Sequence, residues 1–155
     1  MGRVLVVATA LGLAGVVAPP AEGTDAEGCS RAGVEELVRG VLGAFNAGDV
    51  RAFDRLVAEK PEFKWFSVSG SPGRRIRSAA FDRATLLRYV AARHRQQERQ
   101  RLFRFSFNGR SAVHAHFDFS VVRSARDYRA QRVTGKGAVD CTLTTPRVAV
   151  WSLGS

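Results

Sequence analysis

Apolar residues recur with a helical period from Val34 onward: Val34, Leu37, Val38, Val41, Leu42 and Phe45 share one stripe. Asn46-Ala47-Gly48 ends this helix, with Gly48 as its left-handed stop. Asp49 suits the N-cap of a second short helix whose apolar face is Val50, Phe53, Leu56 and Val57. Pro61 closes it, and Phe63 to Val68 is aromatic and β-rich, a strand. Ser69 to Gly73 is a turn cluster, and Arg74 to Arg77 is a short basic segment. Asp82 caps a third helix, predicted from Arg83 to about Arg101, with Leu86, Leu87, Val90 and His94 along its stripe. The period then drops to two. Leu102 to Phe107 alternates, with Phe103, Phe105 and Phe107 on one face, and Asn108-Gly109 is a strong hairpin signal. Ser111 to Val122 returns as a strand, Ser124 to Gln131 is a polar connection, and Thr134 to Leu143 is a strand around Gly135 and Gly137. Thr144 to Pro146 turns the chain into a last strand, Arg147 to Leu153. Helices first and hairpins afterwards predict an α+β domain: an antiparallel sheet with the helices gathered on one face.

Before the first helix the pattern is different. Met1 to Arg3 is short and positive, and Val4 to Val17 is 14 residues of Val, Leu, Ala, Gly and one Thr. Pro19-Pro20 breaks any helix, and Ala21-Glu22-Gly23 offers small residues at cleavage spacing. This reads as a cleaved secretory signal over 1–23, a linker over 24–30 and one domain over 31–155. As an uncleaved anchor the run is short of the roughly 20 apolar residues a span needs. As a buried helix it is rich in glycine. Lipidation at Cys29 is disfavoured, because the apolar run ends 12 residues earlier. The expected destination is therefore outside the cell, as a soluble, secreted protein.

That compartment bears on the two cysteines, Cys29 and Cys141. Outside the cell a disulfide persists, and two cysteines allow one pairing. Closing a loop of more than 100 residues would contribute roughly 4–5 kcal/mol by chain entropy. The alternative, a reactive thiol, has no C-x-x-C and no neighbouring histidine in sequence to support it.

Composition excludes a disordered tail or a disulfide-dense mini-protein: 155 residues are 45% hydrophobic and 25% charged. Basic residues outnumber acidic ones 24 to 14, a formal charge of +10. The arginines cluster between Arg74 and Arg104 and could attract a polyanion. They also spread around the third helix, and only Lys60, Lys64 and Lys136 are lysines, a bias typical of GC-rich coding. Polyanion binding is therefore disfavoured, and no nucleic-acid partner is expected.

Candidate chemistry is sparse. His114, His116, Asp118 and Ser120 share one strand face, opposite Val113, Ala115, Phe117, Phe119 and Val121. The apolar face is the better core face, which leaves the polar one in solvent. If it instead entered a pocket, Asp118 would be the general base, with His116 and Tyr89 as companions. His-x-His-x-Asp could also offer ligands to a metal, but a zinc site needs a third or fourth protein ligand, and His94 stands alone. No metal and no cofactor is expected. There is no triad, phosphate-cradling loop or dinucleotide fingerprint.

Val34-Glu35-Glu36-Leu37 and Phe45-Asn46-Ala47-Gly48-Asp49-Val50-Arg51-Ala52-Phe53 resemble the first helix pair of the nuclear-transport-factor-two-like superfamily, which includes ketosteroid isomerase and the SnoaL-like polyketide cyclases. The resemblance extends over nearly all of residues 31–153. It implies a cone: a strongly curved antiparallel sheet wrapped around three helices, with a pocket at the open end. It does not imply one activity, since the superfamily holds isomerases, cyclases, hydrolases and proteins without a known reaction. Two cones often pair in this superfamily, so a homodimer is within its range. The reading is a secreted, non-catalytic module that binds a small apolar molecule or a protein. Trp65, Phe66, Tyr89, Phe103, Phe105 and Phe117 are its pocket candidates. The alternative is an isomerase- or hydrolase-like enzyme with Asp118 as base.

Overall fold

Ser30 opens the first helix as its N-cap, its hydroxyl accepting the Gly33 amide at 3.1 Å. The computed structural model describes residues 29–59, 64–69, 76–80 and 82–154. The expected signal, residues 24–28 of the expected linker and residues 70–73 of the predicted turn cluster lie outside these residues. Helix α1 (Arg31–Ala47) buries Val34, Val38, Val41, Leu42 and Phe45 of the predicted stripe. Gly48 stops it at φ 69°, and the His94 ring occupies the place of a side chain there, 2.5 Å from where a Cβ would stand. The left-handed backbone and the close ring both require glycine. Helices α2 (Val50–Leu56) and α3 (Arg83–Arg95) start at Asp49 and Asp82, whose carboxylates accept the Ala52 and Thr85 amides at 2.9 and 2.8 Å.

Six strands form one curved sheet: β1 (Lys64–Ser69), β2 (Ile76–Ala80), β3 (Arg99–Arg110), β4 (His114–Ala125), β5 (Tyr128–Asp140) and β6 (Arg147–Leu153). Their order is β2-β1-β6-β5-β4-β3. Helix α1 packs on β3, α2 on β6, and α3 lies beside α2 and β2. This is the predicted α+β arrangement. The sheet is mixed, however, not antiparallel throughout: β6 lies parallel to β1, with Trp65 beside Trp151. Three successive hairpins bring the chain back in the direction in which β1 runs.

Other local expectations change for identifiable reasons. Helix α3 ends at Arg95, six residues before the predicted end. Gln97 takes a left-handed backbone (φ 55°), and Glu98 turns inward to buried partners, so the helix-favouring run Arg99–Arg101 is drawn into the β3–β4 ladder. Ile76 and Arg77, the end of the predicted basic segment, begin β2, which pairs with β1. Asn108-Gly109 is not the hairpin turn. The ladder continues to Arg110↔Ala115, Gly109 (φ 113°) sits at a bulge, and Ser111 makes the turn by accepting the His114 amide at 3.0 Å. The polar connection after β4 is short, because Tyr128 to Gln131 already belong to β5. A second bulge, at Phe103, has the largest consequence. Leu102 pairs with Val121 and Arg104 with Ser120, which leaves Phe103 out of the alternation. Phe103 is 49% exposed, whereas Phe105 and Phe107 pack against the core.

The core face gathers Trp65, Phe117, Phe119 and Trp151. The two indoles stack at 5.3 Å, and Phe119 lies 4.3 Å from the Trp151 ring. Burying such a side chain contributes about 1.5–3 kcal/mol. Gly135 and Gly137 make the packing feasible. A Cβ on Gly137 would stand 2.3 Å from the Phe117 ring, and one on Gly135 2.6 Å from the Phe119 ring. Cys29 and Cys141 form the expected disulfide, with Cα atoms 5.9 Å apart. Cys141 lies just beyond β5 and not within a strand, because Asp140 accepts both the amide and the hydroxyl of Thr142 and turns the chain.

Candidate functional site

The two faces of the sheet carry different chemistry. On the helix-covered face, a chain of hydrogen bonds crosses from β1 to the β4–β5 end. Tyr89 of α3 donates to Ser67 Oγ at 2.9 Å and accepts from Arg123 Nη2 at 3.0 Å. Arg123 Nε reaches Glu98 Oε1 at 2.6 Å, and Gln100 donates to the same oxygen at 2.7 Å. Arg93 holds the other Glu98 oxygen and extends to Asp127. Glu98 and Arg123 are fully buried. Both guanidinium groups lie over the Tyr128 ring, at 5.7 and 5.9 Å. Burial pushes the Tyr89 hydroxyl above its ordinary pKa, against the opposing pull of the Arg123 charge. For Arg123, burial works against the charge, but Tyr89 and Glu98 outweigh it and its pKa is raised. Asn46 clamps this end to α1, exchanging two 2.8 Å bonds with the Gln100 backbone.

On the opposite face lies an open groove of about 700 Å³. Cross-strand register lays out its floor. One row is Ser106, Asp118, Lys136 and Ser152; the next is Arg104, Ser120 and Thr134. Arg132 stands beside Thr134, with its guanidinium 3.6 Å from the centre of the Phe103 ring. The bulge that turns Phe103 outward therefore builds the platform on which Arg132 rests. Asp118 accepts a 2.7 Å bond from Asn108.

Neither protein-family models nor curated proteins match the chain by sequence. Solved structures do match in shape. An NTF2-like protein with a cystatin-like fold from Novosphingobium aromaticivorans superposes with a TM-score of 0.61 at 14% identity, over 79% of each chain. An NTF2-like protein of unknown function from Pseudomonas putida gives 0.61 at 7% identity, over 80% of this chain and 84% of that one. Another, from Shewanella oneidensis, gives 0.58 at 10%, over 79% and 96%. The fold is nuclear-transport-factor-two-like (NTF2-like). At such identities the likeness carries the fold alone.

In this NTF2-like frame the predicted site residues do not come together. Tyr89, Trp65 and Phe117 lie on the helix-covered side, and Phe105 lines it half-buried, stacked on Phe117 at 6.0 Å. Asp118, His116, Phe66 and Phe103 lie on the other side, all exposed. As a trio of catalytic candidates, Asp118, His116 and Tyr89 are split by the sheet, because strand alternation sends residues of one parity outward. Asp118 therefore cannot act as base on a substrate held inside the cone. Among the described residues, no group of three His, Cys, Asp or Glu side chains is placed to hold a metal ion.

Two features escape the sequence reading. Arg123 has the parity of Phe117, Phe119 and Val121, which marks it as inward-facing. Glu98 is the one acid in the cationic run from Arg93 to Arg104, a hint that it balances charge internally. The cations Arg132 and Lys136 carry no comparable signal. In the interior, the indole nitrogens of Trp65 and Trp151 are buried with no acceptor among the described residues.

Proposed function

We propose that this is an exported, non-catalytic binding module, and that its ligand site is the groove on the outer face of the sheet. One observation carries the reading: the interior charges are answered by one another, whereas the groove holds a ligand-sized space around which Arg104, Arg132 and Lys136 stand exposed. The disulfide is compatible with export, and no described helix is long and apolar enough to cross a membrane. A second reading, an apolar ligand inside the cone, is favoured by the two indole N–H groups. Each would cost about 1–3 kcal/mol if left unanswered, and a small molecule carrying an acceptor would satisfy them.

Amide and indole NMR on the secreted, oxidised protein tests both readings. With inorganic phosphate as probe, the outer-face reading expects shifts at Ser120, Thr134 and Lys136, with the indole signals unmoved. With 2-naphthol as neutral probe, the interior reading expects both indole signals to move. Shifts at neither place, or a mature chain that still carries residues 1–23, would overturn the corresponding part.

A further inference from the structure

Resting on the outer groove as the ligand site, we infer its ligand class: a phosphate- or sulfate-bearing sugar-like molecule, recognised by Arg132, Arg104 and Lys136 together with the floor hydroxyls. The charge pattern comes first. Among the described residues, none of these three cations forms an ion pair, although carboxylates elsewhere are engaged by Arg39, Arg83, Arg93, Arg123 and Arg147. Lys136 is the direct cross-strand neighbour of Asp118, yet Asp118 takes its hydrogen bond from Asn108 instead. Among the described residues, Asp118 is the only side-chain carboxylate on the groove wall. Three cations against one acid leave a local excess of two positive charges.

Preorganisation comes second. A surface arginine ordinarily loses rotamer freedom when it binds. Here the Phe103 face holds the Arg132 guanidinium at 3.6 Å, so its donor edge is presented with less left to lose. Phe103 is spared from the core only by the bulge, an otherwise costly placement for an aromatic ring. Arg132 and Lys136 flank Thr134 at two-residue spacing on one face, about 6.5–7 Å to either side. Arg104 enters from two strands away, in the row of Ser120 and Thr134. Long side chains at these positions can converge on one tetrahedral oxyanion above Thr134.

The hydroxyls come third. Ser106, Ser120, Thr134 and Ser152 line the floor, and they suit a ligand that carries hydroxyls of its own more than an apolar one. A second copy of the chain is a poor occupant. A two-fold interface sets a patch against itself, and this one would meet its own excess of positive charge.

Calorimetry of the oxidised, secreted protein with glucose 6-phosphate, inorganic phosphate and glucose tests the assignment. Glucose 6-phosphate should bind most tightly, phosphate more weakly, and glucose should give no heat. Arg132→Gln and Lys136→Gln should each weaken glucose 6-phosphate about tenfold, the loss of one charge-assisted contact. Phe103→Ala removes no charge, yet it should weaken binding several-fold by freeing Arg132. Raising salt from 50 to 200 mM should weaken binding throughout. Glucose binding as well as its phosphate, with groove amides shifting, would overturn the anion class and leave the groove as the site. Groove amides silent to all three probes would overturn both. A heparin hexasaccharide binding far more tightly than glucose 6-phosphate would make this a macromolecular polyanion face, and groove amides protected by a concentration-dependent dimer would make it a self-interface; each overturns the proposal.

Discussion

The Glu98 cluster and the outer groove both concentrate arginine, yet they treat its charge in opposite ways. Inside, Arg93 and Arg123 share Glu98, and Gln100 and Tyr89 fill most of the remaining hydrogen-bonding capacity. On the outer face, Arg104, Arg132 and Lys136 form no ion pair among the described residues. A buried charge must be paired or it costs several kcal/mol, so the first arrangement is what the fold demands. An exposed cation needs no partner to fold, so the second is free to serve a ligand. The lesson is that the number of arginines says little, and the share of them answered from within says much more.

The contrast is broken most severely by Glu98→Ala. It should destabilise the protein by about 3–5 kcal/mol by stranding Arg123, read as a lower urea midpoint. A change below about 1 kcal/mol would mean that the interior cluster does not hold this end of the sheet. Reducing Cys29–Cys141 should cost about 2–4 kcal/mol, less than the chain-entropy figure, with the Glu98 cluster and the outer groove intact because neither contains a cysteine. Free thiols in the mass spectrum of the exported protein would remove that expectation.

The smallest effect is a pH dependence that belongs to the interior alone. The folded-state pKa of Tyr89 is raised above its ordinary value of 10.0 by burial. Stability from its neutral hydroxyl is then fully present below about pH 10 and is lost as pH rises through the folded value. Tyr128 shifts in the same direction for the same leading cause. The melting temperature should fall steeply above pH 10, and Tyr89→Phe should flatten that fall. At neutral pH the same variant should cost about 1 kcal/mol for the lost hydrogen bonds. Equal slopes in the two proteins would show that Tyr89 ionises as freely folded as unfolded.

Much of the frame was legible in the sequence because its causes are local. The stripe from Val34 to Phe45, the caps at Asp49 and Asp82, and the glycine stop at Gly48 depend on neighbours within one or two helical turns. The alternation from His114 to Val121 correctly divided an apolar from a polar face, since strand parity is fixed by the backbone alone. The disulfide followed from arithmetic and compartment. What only the tertiary structure decided is wherever distant segments compete for the same residues. Arg99–Arg101 has the composition of a helix but is taken by the β4 ladder. One extra residue at Phe103 reverses a face that a strict period of two had set, and Asn108-Gly109 becomes a bulge because the strands are longer than their turn signal suggests. The groove is the clearest case. Phe103, Asp118 and Arg132 sit on three strands, and only the register that aligns those strands makes them one site.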